Sequence, residues 1–95
     1  MPDAVFAVCD AAAYGVIMKL RKEDIGIPEQ VAVIGFTNEP SAAIIEPPLT
    51  TVSQPAYEIG KTAAKIMIDL IADKNAHPSS ETVVLKTQLV VRKSS

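Results

Sequence analysis

A single cysteine, Cys9, stands in a chain of 95 residues, so no internal disulfide can form and nothing points to an oxidising compartment. Positive charge is scarce as well. Nine lysines and arginines are outnumbered by eleven acidic residues, for a net charge of −2. Gripping a phosphate backbone takes a concentrated basic face, so any nucleic-acid role lies outside these residues. No apolar run approaches the roughly 20 residues that cross a bilayer, and the N-terminus lacks a charged segment leading into an apolar one. No Cys, His and carboxylate cluster has metal-ligand spacing. There is no G-x-G-x-x-G and no phosphate loop; Gly15, Gly26, Gly35 and Gly60 are isolated and read as structural. The one histidine, His77, lies in a polar loop far from Cys9, so a Cys–His nucleophile is not on offer, and Cys9 reads as a small buried strand-end residue. Glu39 and Glu46 flank a proline-rich loop and do not make a general acid–base pair. The expectation is a soluble, cytoplasmic, non-enzymatic chain with no metal, no cofactor and no membrane partner.

What is present is a globular composition, 48% hydrophobic and 21% charged, in a chain long enough for one thin domain at most. Its organising stretch is Val31 to Gly60. An apolar run of strand length, Val31–Phe36, fits a strand buried on both faces in a parallel sheet under helices. A polar elbow follows, Thr37-Asn38-Glu39-Pro40, and the carboxyl end of such a strand is where ligands sit in this class of fold.

Taken in order, Ala4–Val8 reads as a strand, and Asp10 is placed to cap the helix after it. That helix spans Ala11 to about Lys22, with Ala13, Val16, Ile17 and Leu20 at helical spacing and cationic residues near its end. Gly26, Ile27 and Pro28 stop it. With the strand Val31–Phe36 this makes a βαβ unit. Ser41–Ile45 forms a brief helix before Pro47, and Thr50–Val52 a short third strand. Pro55 starts a helix reaching about Asp73, with Ala56, Ile59, Ala63, Ile66, Met67, Leu70 and Ile71 as its buried stripe. Lys74–Ser80 is a polar loop. Thr82–Leu85 and Gln88–Val91 are β-type runs, either a hairpin or one bent strand.

The polar groups at the three strand ends are Cys9-Asp10, Thr37-Asn38-Glu39 and Ser53-Gln54. Parallel neighbours would gather them on one edge of the sheet, as hydroxyl, amide and carboxylate partners for a small polar ligand. The competing reading makes Asp10 a helix cap, Asn38 and Pro40 turn formers, and Gln54 an exposed residue before a helix. Tyr14, Met18, Ile44 and Ile45 suit either a self-association surface or ordinary core packing.

Several strings together resemble the closing portion of lac repressor (LacI/GalR) family transcription regulators. They are Asp10 before an alanine-rich helix with Gly15, I-P-E-Q-V-A-V-I-G-F at Ile27–Phe36, P-P-L-T-T-V at Pro47–Val52, Gln54-Pro55, and L-x-x-x-L-V-V-R at Leu85–Arg92 with a basic, serine-rich end. The likeness covers essentially the whole chain. It implies an α/β, three-layer parallel-sheet module: an incomplete C-terminal subdomain of a periplasmic-binding-protein-like (type I) fold. Residues 1–95 would be the C-terminal portion of an effector-binding and dimerisation domain, with the DNA-binding domain and N-terminal lobe elsewhere. Implied partners are a small-molecule effector, a sugar or related metabolite, a second copy in a homodimer, and operator DNA only through the N-terminal domain. In an intact relative, effector binding shifts the population between two states of different operator affinity.

The implied effector contacts are Cys9, Asp10, Phe36, Thr37, Asn38 and Gln54. The implied dimer surface, on Ala11–Lys22 and Ser41–Pro48, uses Tyr14, Ile17, Met18, Ile44 and Ile45. The family usually carries asparagine at Cys9 and often aspartate at Thr37. A thiol is a poor hydrogen-bonding group. The effector then differs from a simple neutral sugar, or its binding leans on Asp10, Asn38 and the other lobe. The alternative identity is the C-terminal lobe of a periplasmic sugar-binding transport protein.

Overall fold

Three strands enter the sheet in the order in which they leave the sequence. A computed structural model describes residues 2–72 and 82–95, as two compact units, Met1–Gln54 with Gln88–Ser95 and Pro55–Thr87. In the first unit β1 (Ala4–Phe6), β2 (Ala32–Thr37) and β3 (Thr50–Ser53) lie side by side and parallel, and β4 (Gln88–Val90) pairs antiparallel with β3. The class is mixed α/β with a mostly parallel sheet, as expected, and an antiparallel edge strand.

Helix α1 (Asp10–Lys22) joins β1 to β2 and packs on one face of the sheet. Residues 31, 33 and 35 of the β2 segment are buried and their neighbours only half so, the period of two that a strand imposes. The core joins Ala7, Ala13, Ile17, Val33, Ala42 and Leu49, with Tyr14, Val16, Leu20, Ile27 and Ile45 packed against it. Burying a side chain such as Leu49 or Ile17 stabilises by about 1.5–3 kcal/mol. Expectation and structure differ on β2, which is not buried equally on both faces. Its second face carries Ile34 and Phe36, half-buried, beside Phe6 of β1, which is 64% exposed and tilted against Phe36 at 6.5 Å between ring centroids.

Helix α1 ends at Lys22 as read in the sequence, but the residues that cap its two ends differ from those expected. Asp10 is the first residue of α1, not its cap; extended Cys9 is the N-cap and makes no side-chain capping bond. The Asp10 carboxylate is engaged elsewhere, as described below. At the other end α1 stops before Gly26, because Asp24 takes a left-handed conformation, φ 56°. Its N–H donates to Arg21 O at 3.0 Å and that of Ile25 to Leu20 O at 2.9 Å. These bonds satisfy last-turn carbonyls, and asparagine-like short polar residues tolerate the geometry. Between β2 and β3 a 3-10 turn, Pro40–Ala43, stands where the brief helix was expected.

The carboxyl-terminal segment closes the unit. Ser94 is fully buried where the β2 and β3 ladders begin. Its Oγ donates to Val33 O at 2.6 Å and accepts from Thr50 N–H at 2.8 Å. Its backbone accepts from Val33 N–H at 2.8 Å and donates to Pro48 O at 3.0 Å. Of the two terminal β-type runs only Gln88–Val90 forms a strand; Thr82–Thr87 carries none, so neither the hairpin nor the bent strand is present.

In the second unit α2 runs Ala56–Ala72. No residue of its expected buried stripe is buried: Ile66 is half-buried and the rest are exposed, with Met67 at 57% and Ile71 at 72%. Taken alone, this unit has no second described helix or strand to cover it. The polar loop expected at Lys74–Ser80, with His77, lies outside the described residues. No helix among the described residues is long and apolar enough to cross a membrane.

Candidate functional site

The register of the sheet decides which strand ends meet. Phe6 pairs with Ile34, Gly35 with Thr51, and Thr37 with Ser53, so the carboxyl ends of β1, β2 and β3 fall at one end of the sheet. Cys9, the Thr37-Asn38-Glu39 elbow and Ser53-Gln54 follow from those ends. Cys9, Thr37, Asn38, Ser53 and Gln54 are half-buried and Glu39 is exposed. The convergence expected from the sequence is therefore present.

At its centre is Asp10, fully buried. Thr51 Oγ1 donates to Asp10 Oδ1 at 2.7 Å, and the Glu39 N–H donates to Asp10 Oδ2 at 2.7 Å. Thr51 Oγ1 in turn accepts the Asn38 N–H at 3.2 Å. Thus one hydroxyl relays between the elbow and the carboxylate, and both carboxylate oxygens are satisfied by the protein. No buried side-chain nitrogen or oxygen among the described residues lacks a partner, which is how buried polar groups avoid their desolvation cost.

This arrangement gives Asp10 a structural role in the free chain. It has no exposed surface, and its two oxygens bond Thr51 and Glu39, so it orders the strand ends from beneath. The same packing explains Gly35. A Cβ there would collide with the Asp10 carboxylate and sit 2.8 Å from Leu49 Cδ2, so the strand must be bare where the carboxylate crosses it.

The elbow itself is strained. Thr37 has φ 140° and Asn38 φ 61°. Asparagine tolerates the left-handed region, but a β-branched residue at positive φ is an outlier. Such a conformation costs on the order of 1–3 kcal/mol and survives only where neighbours over-determine it. Here they do: Asn38 N–H is held by Thr51, Glu39 N–H by Asp10, and Asn38 Oδ1 by Arg92 Nη2 at 2.9 Å.

Phe36 is half-buried and lies in register with Val52, on the face opposite Gly35 and Thr51. Of the residues expected at a dimer surface, Ile17 lies in the core of this unit, at 4% exposure. Its place in the apolar stripe of α1 is explained by packing on the sheet. Tyr14 and Ile45 are half-buried against the core, and Tyr14 Oη shares a 2.6 Å hydrogen bond with Ser41 Oγ. Met18 and Ile44 are exposed, at 72% and 84%.

Thr51, Arg92 and Ser94 were not among the candidate residues. Each sits in a string that stands out in the sequence, T-T after the double proline and R-x-S at the end, but their partners are 13 to 61 residues away. Spacing along the chain carries no signal for such pairs.

Comparison with known proteins agrees with this geometry. The model of the periplasmic binding protein-like domain family matches residues 1–95. The HTH-type transcriptional repressor CytR of Escherichia coli (strain K12) is 33% identical over 94 residues, 99% of this chain and 27% of that protein. A transcriptional regulator CelR–cellobiose complex superposes with a TM-score of 0.89 at 36% identity, covering 98% of this chain and 28% of the other. A LacI family transcriptional regulator from Enterococcus faecium with bound ribose gives 0.85 at 33% identity, covering 98% and 34%. The chain thus spans about a quarter to a third of the relatives it matches. These relatives are transcription regulators, and the transport-protein alternative is not favoured.

Proposed function

The chain belongs to the periplasmic binding protein-like domain family, in the form found in LacI-family regulators, and from that premise we propose that it forms one wall of the small-molecule cleft of a transcription regulator. In this reading residues 1–95 are the C-terminal portion of an effector-binding domain in a longer protein. The wall is non-enzymatic. It holds a sugar or related metabolite through Cys9, Phe36, Thr37, Asn38 and Gln54, with Asp10 beneath. The relatives named with cellobiose and ribose bound support that ligand class. Operator DNA is contacted by a different part of the longer protein, which acts in the cytoplasm.

The observation that carries the reading is the elbow at Thr37-Asn38. A protein that only needed a turn there has no use for a threonine at φ 140° two residues before a backbone N–H that a buried carboxylate pins. Strain of this kind clusters where side chains are aimed at ligands. The non-enzymatic assignment rests on the rim's chemistry. Its buried carboxylate, Asp10, is turned into the protein, and Glu39, the other carboxylate, is exposed with no second acid or base beside it among the described residues.

Effector occupancy would change operator affinity only through differential binding to two states of the regulator. Dimerisation through the exposed Met18 and Ile44 on neighbouring elements would couple two such walls. The test is calorimetric titration of the protein carrying this chain with ribose, cellobiose and adenosine, followed by an operator-binding assay with whichever ligand binds. Saturable binding of one ligand that alters operator affinity is the expected result. Absence of binding by all three would overturn the cleft assignment.

A further inference from the structure

The clamp between Arg92 and Asn38 has a chemical consequence for the site proposed above, and the inference rests on that reading. Arg92 lies 54 positions beyond Asn38. Its backbone is fixed from two sides. The Arg92 N–H donates to Thr50 Oγ1 at 2.8 Å, and Ser94, two residues on, is buried between β2 and β3. From that anchored position the guanidinium reaches across the unit. Nη1 donates to Leu49 O at 2.9 Å and Nη2 to Asn38 Oδ1 at 2.9 Å.

A guanidinium has donors and no acceptor, whereas an asparagine amide has one face of each kind. Whichever end of the Asn38 amide meets Arg92 must therefore be the oxygen. The backbone is held independently, by the Asn38 N–H on Thr51 Oγ1, so the side chain cannot gain by turning over. Its Nδ2 hydrogens are left pointing away from Arg92, and among the described residues no protein acceptor takes them.

We propose that Arg92 is a positioning residue for the effector site, fixing the amide sense of Asn38 so that this residue offers N–H donors to the ligand. The site then selects, at this point, a ligand atom that accepts: a ring, hydroxyl or carbonyl oxygen. A ligand bearing only a donor there meets two N–H groups and is rejected, because its own donor and both amide hydrogens are left unpaired. Arg92 need not touch the effector. It acts through Asn38, from the far end of the chain.

The experiment is calorimetry on the full protein carrying this chain, with ribose, cellobiose and adenosine as probes, combined with thermal denaturation. Asn38→Asp keeps an oxygen for Arg92, and so keeps the clamp, but has no donor to give. It should retain the melting temperature and lose about tenfold or more in affinity for the probe that binds. Arg92→Met releases the amide and should weaken binding several-fold, and Arg92→Lys, which restores one donor, should recover part of the loss. A clamp that only stabilises the fold predicts the reverse for Asn38→Asp: affinity equal to the parent protein at equal stability. That result overturns the inference while leaving the cleft intact. Should Arg92→Met fail to fold, Asn38→Asp decides alone. If the parent protein binds none of the three probes, the cleft reading falls and this inference with it.

Discussion

Asp10 and Thr51 are 41 positions apart in the chain, have no exposed surface, and share a 2.7 Å hydrogen bond. Asp10 opens α1 and Thr51 lies in β3, with β2 between their strands. The bond therefore staples a helix start to the strand two places away, across the bare backbone at Gly35. Because Thr51 Oγ1 also accepts from Asn38 and Asp10 also accepts from Glu39, the Thr37-Asn38-Glu39 elbow inherits its shape from this pair. Geometry set in the core is thereby delivered to the rim.

Removing the carboxylate should be felt first in stability. Asp10→Ala leaves the Thr51 hydroxyl and the Glu39 N–H without their partner, and a loss of about 2–4 kcal/mol is expected. Asp10→Asn keeps the volume but turns one acceptor into a donor, so it should lie between the two. Urea denaturation of the three proteins checks the order.

Glycines at two positions should respond oppositely to the same change. At Gly35 an added methyl group meets Asp10 and Leu49, and Gly35→Ala should destabilise by about 1–3 kcal/mol through overpacking. At Gly15, in α1, nothing lies within 4 Å of the added carbon, and Gly15→Ala should stabilise by about 0.5–1 kcal/mol. Thermal melts of both variants test the pair together.

The buried serine near the chain end should behave as part of the sheet. Ser94→Ala removes an acceptor for Thr50 N–H and a donor to Val33 O, at a cost of about 1–3 kcal/mol. Amide exchange at Thr50 should accelerate in this variant more than exchange in the middle of α1. Equal acceleration everywhere would show that Ser94 has no local role.

Surface and core roles along α1 separate by substitution. Ile17→Ala, in the core, should cost about 2–5 kcal/mol. Met18→Lys and Ile44→Lys, at exposed positions, should stay within about 0.5 kcal/mol of the parent. If Met18 and Ile44 form a self-association surface, their lysine variants should sediment as monomer at concentrations where the parent protein is dimeric.

The parts legible in the sequence are those whose cause is local. The apolar spacing of Ala13, Ile17 and Leu20 announces α1, and the β-branched run at Thr50–Val52 announces β3, because side-chain period and backbone period are coupled. The gathering of Cys9, Thr37, Asn38 and Gln54 at one end followed from parallel strands ending together. What stayed hidden was the direction of side chains. Asp10 has the residue type and position of a helix cap, yet it turns to Thr51 and Glu39 because those donors are brought to it by other strands. The same holds for Ile17, whose periodicity fits a core stripe or an exposed seam equally well until the sheet face is placed. Thr82–Leu85 has strand composition but pairs with no strand, and composition alone does not supply a partner.

Thr37 carries the most direct test of the account. The account holds that its backbone, at φ 140°, is kept strained in order to aim the elbow at a ligand. Replacing it with glycine removes both the strain and the hydroxyl. Thermal denaturation and calorimetry of Thr37→Gly, with the sugar or nucleoside bound by the parent, should give a melting temperature equal or higher and an affinity reduced about tenfold or more. Unchanged affinity, or a fall in stability with binding intact, would contradict it.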